Sequence, residues 1–136
     1  MTNNSFPILH LQTEHSIAKL KEPVALPAKS NQLYNLSVTV DEISLIAPTQ
    51  FLRSIKSQII KEENGWHIIK FDQVFQFKEI GVLAAVAARL AEHDISILAV
   101  STFNTDYLMI QQTQIGKALM QMRAAGHQVT SVHQLG

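Results

Sequence analysis

The sequence predicts an α+β protein of small antiparallel sheets with helices packed on them, and three features carry that prediction. Residues 80–93 (IGVLAAVAARLAEH) are rich in Ala and Leu and run for about four turns, too long for a strand. Residues 95–102 (ISILAVST) and 107–111 (YLMIQ) are apolar runs on either side of Asn104-Thr105-Asp106, the pattern of a hairpin. Asn64-Gly65 lies between strand-like runs at 57–62 and 66–71 and is the strongest short hairpin signal in the chain.

The C-terminal half reads as a full set of elements. Trp66 to Phe71 mixes aromatic and β-branched residues and is an expected strand. The apolar surface of the 80–93 helix extends most of the way round, which lays it against a sheet. The two hairpin strands follow. Thr113 is the expected N-cap of a second helix over about 114–125, where Ile115, Leu119 and Met122 repeat at helical spacing and Gly126 supplies a left-handed end. Met109, Met120 and Met122 near this helix suit core or a subunit interface rather than a cofactor pocket. His127 to His133 has enough β-branched residues for an edge strand. The resulting order, strand, helix, strand, strand, helix, strand, is ferredoxin-like (βαββαβ).

The N-terminal half predicts a shortened copy of that order. Leu9 to Leu20 reads as one or two strands around a turn near Glu14-His15, and residues 23–30 (PVALPAKS) leave room only for a short helix between prolines. Tyr34 to Val40 (YNLSVTV) alternates, and Glu42 to Ala47 (EISLIA) returns after Asp41 as its hairpin partner. Pro48 begins a helical turn through Leu52, and a strand at 57–62 closes the unit. No Ser/Gly-rich linker separates the halves, so two ferredoxin-like units are expected, residues 1–64 degenerate and residues 65–136 complete.

Composition narrows the function. Lys+Arg and Asp+Glu balance at 11 each, so no net field favours nucleic acid or anionic lipid. The longest strongly apolar run, Ile80 to Ala91, contains Arg89 and is shorter than the roughly 20 residues that cross a bilayer, so no membrane is expected as a partner. The absence of cysteine excludes disulfides, thiolate zinc sites and Cys nucleophiles. The opening MTNNSFPILH has neither the basic region nor the apolar core of a signal peptide, which points to a cytoplasmic protein. His10, His15, His67, His93, His127 and His133 show no metal-ligand spacing. No Gly-rich phosphate loop, nucleophile elbow or H-E-x-x-H is present, so neither metal, cofactor nor catalysis is expected.

One resemblance adds to this reading. The run AARLAEHDISILAVSTFNTDYLMI (87–110), preceded by FKEIGVLA (77–84), resembles the second ACT unit of small bacterial tandem-ACT proteins. It is also similar to the CASTOR arginine-sensor family of animals, whose ACT units share the Ser-Thr-aromatic-x-x-Asp pattern found at Ser101 to Asp106. The resemblance covers residues 34–127 and is most specific over 66–126. It implies that residues 65–136 form an ACT domain and residues 1–64 a degenerate ACT-like unit. It further implies regulatory amino-acid binding between ACT units and no catalysis. The animal sensors hold two tandem pairs in one chain, so the single pair here implies a homodimer acting on a regulated protein. Many ACT domains place Asp and Pro ahead of the helix glycine, whereas Lys78-Glu79-Ile80 precede Gly81 here; the Glu79 carboxylate matches the arginine sensors.

Carried over by position, the family's ligand contacts fall on Glu79, Gly81 and Val82 at the helix start and on Thr102, Phe103, Asn104 and Asp106 in the hairpin. Free N–H groups of a helix's first turn suit an α-carboxylate, and Gly81 lets it approach the backbone. Asp106, with Glu79 second, would take a cation, either an α-ammonium or a basic side chain, and two acids favour a basic amino acid. A few charge-assisted hydrogen bonds, less ordering costs, give about −8 kcal/mol, or micromolar binding. Each residue also has a plain structural role. Turn chemistry alone explains Asn104-Thr105-Asp106, Gly81 can serve close helix packing, Phe103 can be core, and Glu79 can complement the helix dipole. A second function follows from those roles, an interaction subunit that recognises another protein and holds no small molecule.

Overall fold

A computed structural model describes residues 5, 7–72 and 80–136. Its strands are β1 (Pro7–Leu20), β2 (Asn35–Val38), β3 (Ile43–Pro48), β4 (Ile59–Phe71), β5 (Ile97–Ser101), β6 (Asp106–Gln111) and β7 (Gln128–Val132). Its helices are α1 (Thr49–Ser54), α2 (Ile80–Glu92) and α3 (Ile115–Ala124), with a 3-10 turn at Lys56–Gln58. Two compact units result, and neither is continuous in sequence: the first takes residues up to 12 with 67–133, the second 13–66 with 134–136. The long strands β1 and β4 therefore contribute residues to both.

In the first unit β6 lies between β4 and β5, and β5 pairs with β6 antiparallel from Ile97↔Ile110 to Ser101↔Asp106. Both helices cover a core of Ile8, Ile69, Phe71, Leu108 and Ile110 with Val86 and Leu90 of α2 and Ala118 and Met122 of α3. Leu83, Val86 and Leu90 recur at helical spacing, and this is the α2 face turned to the sheet. The pairing of β7 departs from the expected antiparallel sheet. It runs parallel to β1, from Pro7↔Gln128 to Leu11↔Val132. More than a hundred residues connect these strands, so no tight turn imposes the antiparallel direction.

Both helices of this unit end in the same way. The N–H groups of Asp94 and Ile95 return to the carbonyls of Ala91 and Leu90, at 3.0 Å each. Those of Gly126 and His127 return to Arg123 and Met122, at 2.9 and 3.2 Å. This double return needs a left-handed residue, Gly126 (φ 97°) as expected and Asp94 (φ 57°), which composition did not mark. The helix start differs from expectation, because Gln114 rather than Thr113 is the N-cap of α3 and makes no capping bond. Its amide is used elsewhere: Nε2 donates to the Asp94 carbonyl (2.9 Å) and Oε1 accepts the Ser96 N–H (3.2 Å).

In the second unit β3 lies between β2 and β1 and pairs with both antiparallel. The β2–β3 turn closes through Thr39, whose N–H donates to the Glu42 carbonyl (3.0 Å) and whose Oγ1 accepts the N–H groups of Asp41 and Glu42. Ala18, Leu20, Leu45, Ala47 and Leu52 form the core of this unit. Helix α1 starts at Thr49 and runs to Ser54, so Pro48, expected to begin the helical turn, is instead its N-cap and the last residue of β3.

Three expectations here are corrected. The stretch around Glu14-His15 is no turn but the interior of the unbroken 14-residue β1. Residues 23–30 hold no helix, consistent with the missing N–H of Pro23 and Pro27. Asn64-Gly65 makes no hairpin; both residues lie inside β4, with Gly65 at φ 84°. Strand β4 lies between β1 and β6 in the sheet, and the positive φ of Gly65 is a local irregularity within it. Asn64 Oδ1 accepts the Ser16 hydroxyl at 2.6 Å, which uses up its turn-forming side chain.

Leu90 is fully buried between α2 and the sheet. Leu90→Ala should cost about 2–5 kcal/mol, read as a lower urea midpoint at unchanged m.

Candidate ligand-binding site

The candidate residues lie on two segments of the first unit. At the start of α2, Glu79 falls outside the described residues, as does the side chain of Val82. Gly81 is exposed, and a Cβ placed there would meet no atom within 4 Å. Among the described residues nothing packs against it, so the close-packing role has no contact to rest on.

The hairpin segment is built from its own hydrogen bonds. Residues 102–105 join β5 to β6, and the N–H of Thr102 donates to the Thr105 carbonyl at 2.8 Å. The Thr102 hydroxyl donates to the same carbonyl at 3.1 Å. Asp106 is not in the turn but is the first residue of β6, opposite Ser101, whose hydroxyl donates to Asp106 Oδ1. A hydroxyl rather than an Asn or Asp side chain thus closes the turn. Asp106 and Tyr107 are half-buried, whereas Thr102 and Asn104 are exposed. Phe103 is 101% exposed and so is not core. A carboxylate held by one hydroxyl keeps acceptor capacity for a cation, because two oxygens offer about four lone-pair sites.

A polar cluster that the sequence does not reveal lies elsewhere in the first unit. His10 is 6% exposed, and its Nε2 meets His67 Nδ1 at 2.8 Å while its Nδ1 meets Ser131 Oγ at 2.8 Å. The ring centroids are 5.1 Å apart at 21°, the separation that two imidazoles in edge-to-edge hydrogen bonding require, so contact is through the nitrogens and not the faces. Burial first, then the charges of His67 and Arg123, lower His10 from 6.5 to about 4. Burial and Arg89 likewise lower His127. Among the described residues no group of three or more His, Cys, Asp or Glu is placed to hold a metal ion. The partners of His10 stand 57 and 121 residues away, and no spacing rule reaches that far.

With this geometry in view, residues 61–121 match the family model of the ACT domain. The match includes the start of α2 and the whole β5–β6 hairpin. The chain is similar to the mouse protein named cytosolic arginine sensor for mTORC1 subunit 1, with 26% identity over 106 residues, and to its human counterpart, with 25% over 118. These alignments take in 75% and 82% of the chain but only 32% and 36% of the sensors, so the chain spans about a third of their length. Among solved structures, a protein from Agrobacterium tumefaciens matches at TM-score 0.79 and 25% identity, over 97% of each chain. The ligand-free regulatory subunit of aspartate kinase from Thermus thermophilus matches at TM-score 0.59 and 10% identity, over 88% of this chain and 97% of that one, a likeness of fold alone. Among the described residues no helix is long and apolar enough to cross a membrane.

The neutral form of His10 is the one the fold favours. As pH falls from 6.5 toward about 4 the unfolded chain takes up a proton that the folded chain refuses, so stability should fall with pH across that window. Urea midpoints at about pH 7 and about pH 5 should drop less in His10→Asn than in the unaltered protein.

Proposed function

We propose that the protein is a cytoplasmic amino-acid-binding regulatory module that acts as a homodimer and catalyses nothing itself. Ligand would be held between ACT units, its α-carboxylate at the α2 start beside Gly81 and its cationic group on Asp106. Glu79, Val82, Thr102, Phe103 and Asn104 complete the site. The observation that carries this reading is the ACT-domain match over the segment containing both the helix start and the hairpin. Similarity to proteins named as arginine sensors supports a basic amino acid as the ligand. For domain organisation we infer a degenerate ACT-like unit over residues 1–64 and an ACT domain over 65–136; the start of the family match at residue 61 supports the second. A ligand with different affinities for two arrangements of the dimer would shift their populations and so signal to a regulated protein.

The alternative, an interaction subunit without a ligand, draws on the fully exposed Phe103 at the hairpin tip and on Leu98 exposed on β5, a strand at the end of the sheet order. A thermal-shift screen against the twenty amino acids separates the two readings, since a ligand specific to the native state raises the melting temperature by mass action. Arginine or lysine should give a selective rise. Asp106→Ala should weaken that binding about tenfold or more while leaving the ligand-free melting temperature nearly unchanged. Undiminished binding in that variant would remove Asp106 from the site, and no rise with any amino acid would favour the interaction subunit.

A further inference from the structure

The second unit contains a groove of about 590 Å³, within the roughly 300–1,000 Å³ range of small-ligand pockets. Three stretches of chain wall it: Thr13 and Glu14 on β1, Gln32 and Tyr34 leading into β2, and Pro48 with every residue of α1 except Leu52. We propose that this groove is a second small-molecule site, separate from the hairpin, that takes an α-amino acid zwitterion with an apolar side chain.

The walls are braced from behind by two fully buried polar residues. His15 Nδ1–H donates to the Thr13 carbonyl at 2.9 Å, and its Nε2 accepts the Leu33 N–H at 3.3 Å, which ties the first wall to the second. These bonds require the neutral imidazole with its proton on Nδ1. Ser16 Oγ donates to Asn64 Oδ1 at 2.6 Å, so at 2.7 Å it accepts from the Thr49 hydroxyl, which ties the third wall to β1. Burying an imidazole and a hydroxyl is costly unless their bonds are made. Here the bonds hold three wall segments at fixed separation, which is the preorganisation a small-ligand site needs.

The lining has the chemistry of a zwitterion with an apolar group. Glu14 and Arg53 are exposed at the groove, and among the described residues neither has an ion-pair partner. Arg53 suits a carboxylate in bidentate geometry, and Glu14 suits an ammonium. Tyr34 and Phe51 meet edge to face with centroids 5.1 Å apart and give the groove an aromatic surface for an apolar side chain.

The test is an NMR titration of the full-length chain with L-phenylalanine, with 3-phenylpropionate and phenethylamine as probes lacking the ammonium or the carboxylate. L-Phenylalanine should shift the amides of Tyr34, Phe51 and Arg53 and bind more tightly than either truncated probe. Arg53→Gln and Glu14→Gln, both at exposed positions, should each weaken it about tenfold or more, and Asp106→Ala should leave it unchanged. The proposal is overturned if neither L-phenylalanine nor L-leucine shifts these amides at millimolar concentration, or if binding survives both groove substitutions. Loss of binding in Asp106→Ala alone would also overturn it, placing the ligand at the hairpin and leaving the proposed function intact.

Discussion

Strand β1 is the constraint on which the rest of the structure depends. Along Pro7–Leu11 it pairs with β7, along His15–Leu20 it pairs with β3, and it is also a hydrogen-bonded neighbour of β4. A strand paired this fully leaves few backbone groups unsatisfied, and it can be central only if its register is fixed. Three buried polar side chains do the fixing. His10 meets His67 and Ser131, His15 meets Thr13 and Leu33, and Ser16 meets Thr49 and Asn64. A slip of one residue would turn each of the three to the opposite face from the one it now occupies and break these bonds.

The two proposed sites would use different kinds of recognition chemistry. In the first unit the β5–β6 hairpin carries one carboxylate, Asp106, held by a neighbouring hydroxyl, and in the proposed site the opposite charge would come from backbone N–H groups at a helix start. In the second unit the groove has side chains of both signs and an aromatic surface of its own. A site that relies on backbone dipoles is sensitive to any shift of the helix relative to the hairpin. One lined by side chains on a braced frame is less so. The first arrangement therefore suits a module that must respond to its ligand, since a ligand can shift an equilibrium only by its difference in affinity between states.

Much of the first unit was legible in the sequence because its signals are local. The Ala/Leu-rich helix, the β5–β6 hairpin and Gly126 each follow from a short run of residues, and the structure places them within a few positions of expectation. The hairpin turn was legible as a turn, although Thr102 closes it and not the Asn or Asp. The second unit was harder to read. Asn64-Gly65 has strong turn propensity, yet it lies inside the unbroken β4, and which strands neighbour it is decided by pairings far along the chain.

By itself the sequence determined the α+β class and the element order of the C-terminal half, because periodicity and turn chemistry act over a few residues, whereas the candidate residues at the α2 start and hairpin are those its resemblance to ACT units implies. Only the tertiary structure decided that β1 is unbroken and runs parallel to β7, and that the two compact units interleave in sequence. It alone brought His10 to His67 across 57 residues, and gathered Glu14, Tyr34 and Arg53 around one groove. Those outcomes depend on which strands share hydrogen bonds and which buried polar groups find partners, and such partners are chosen across the fold rather than along the chain.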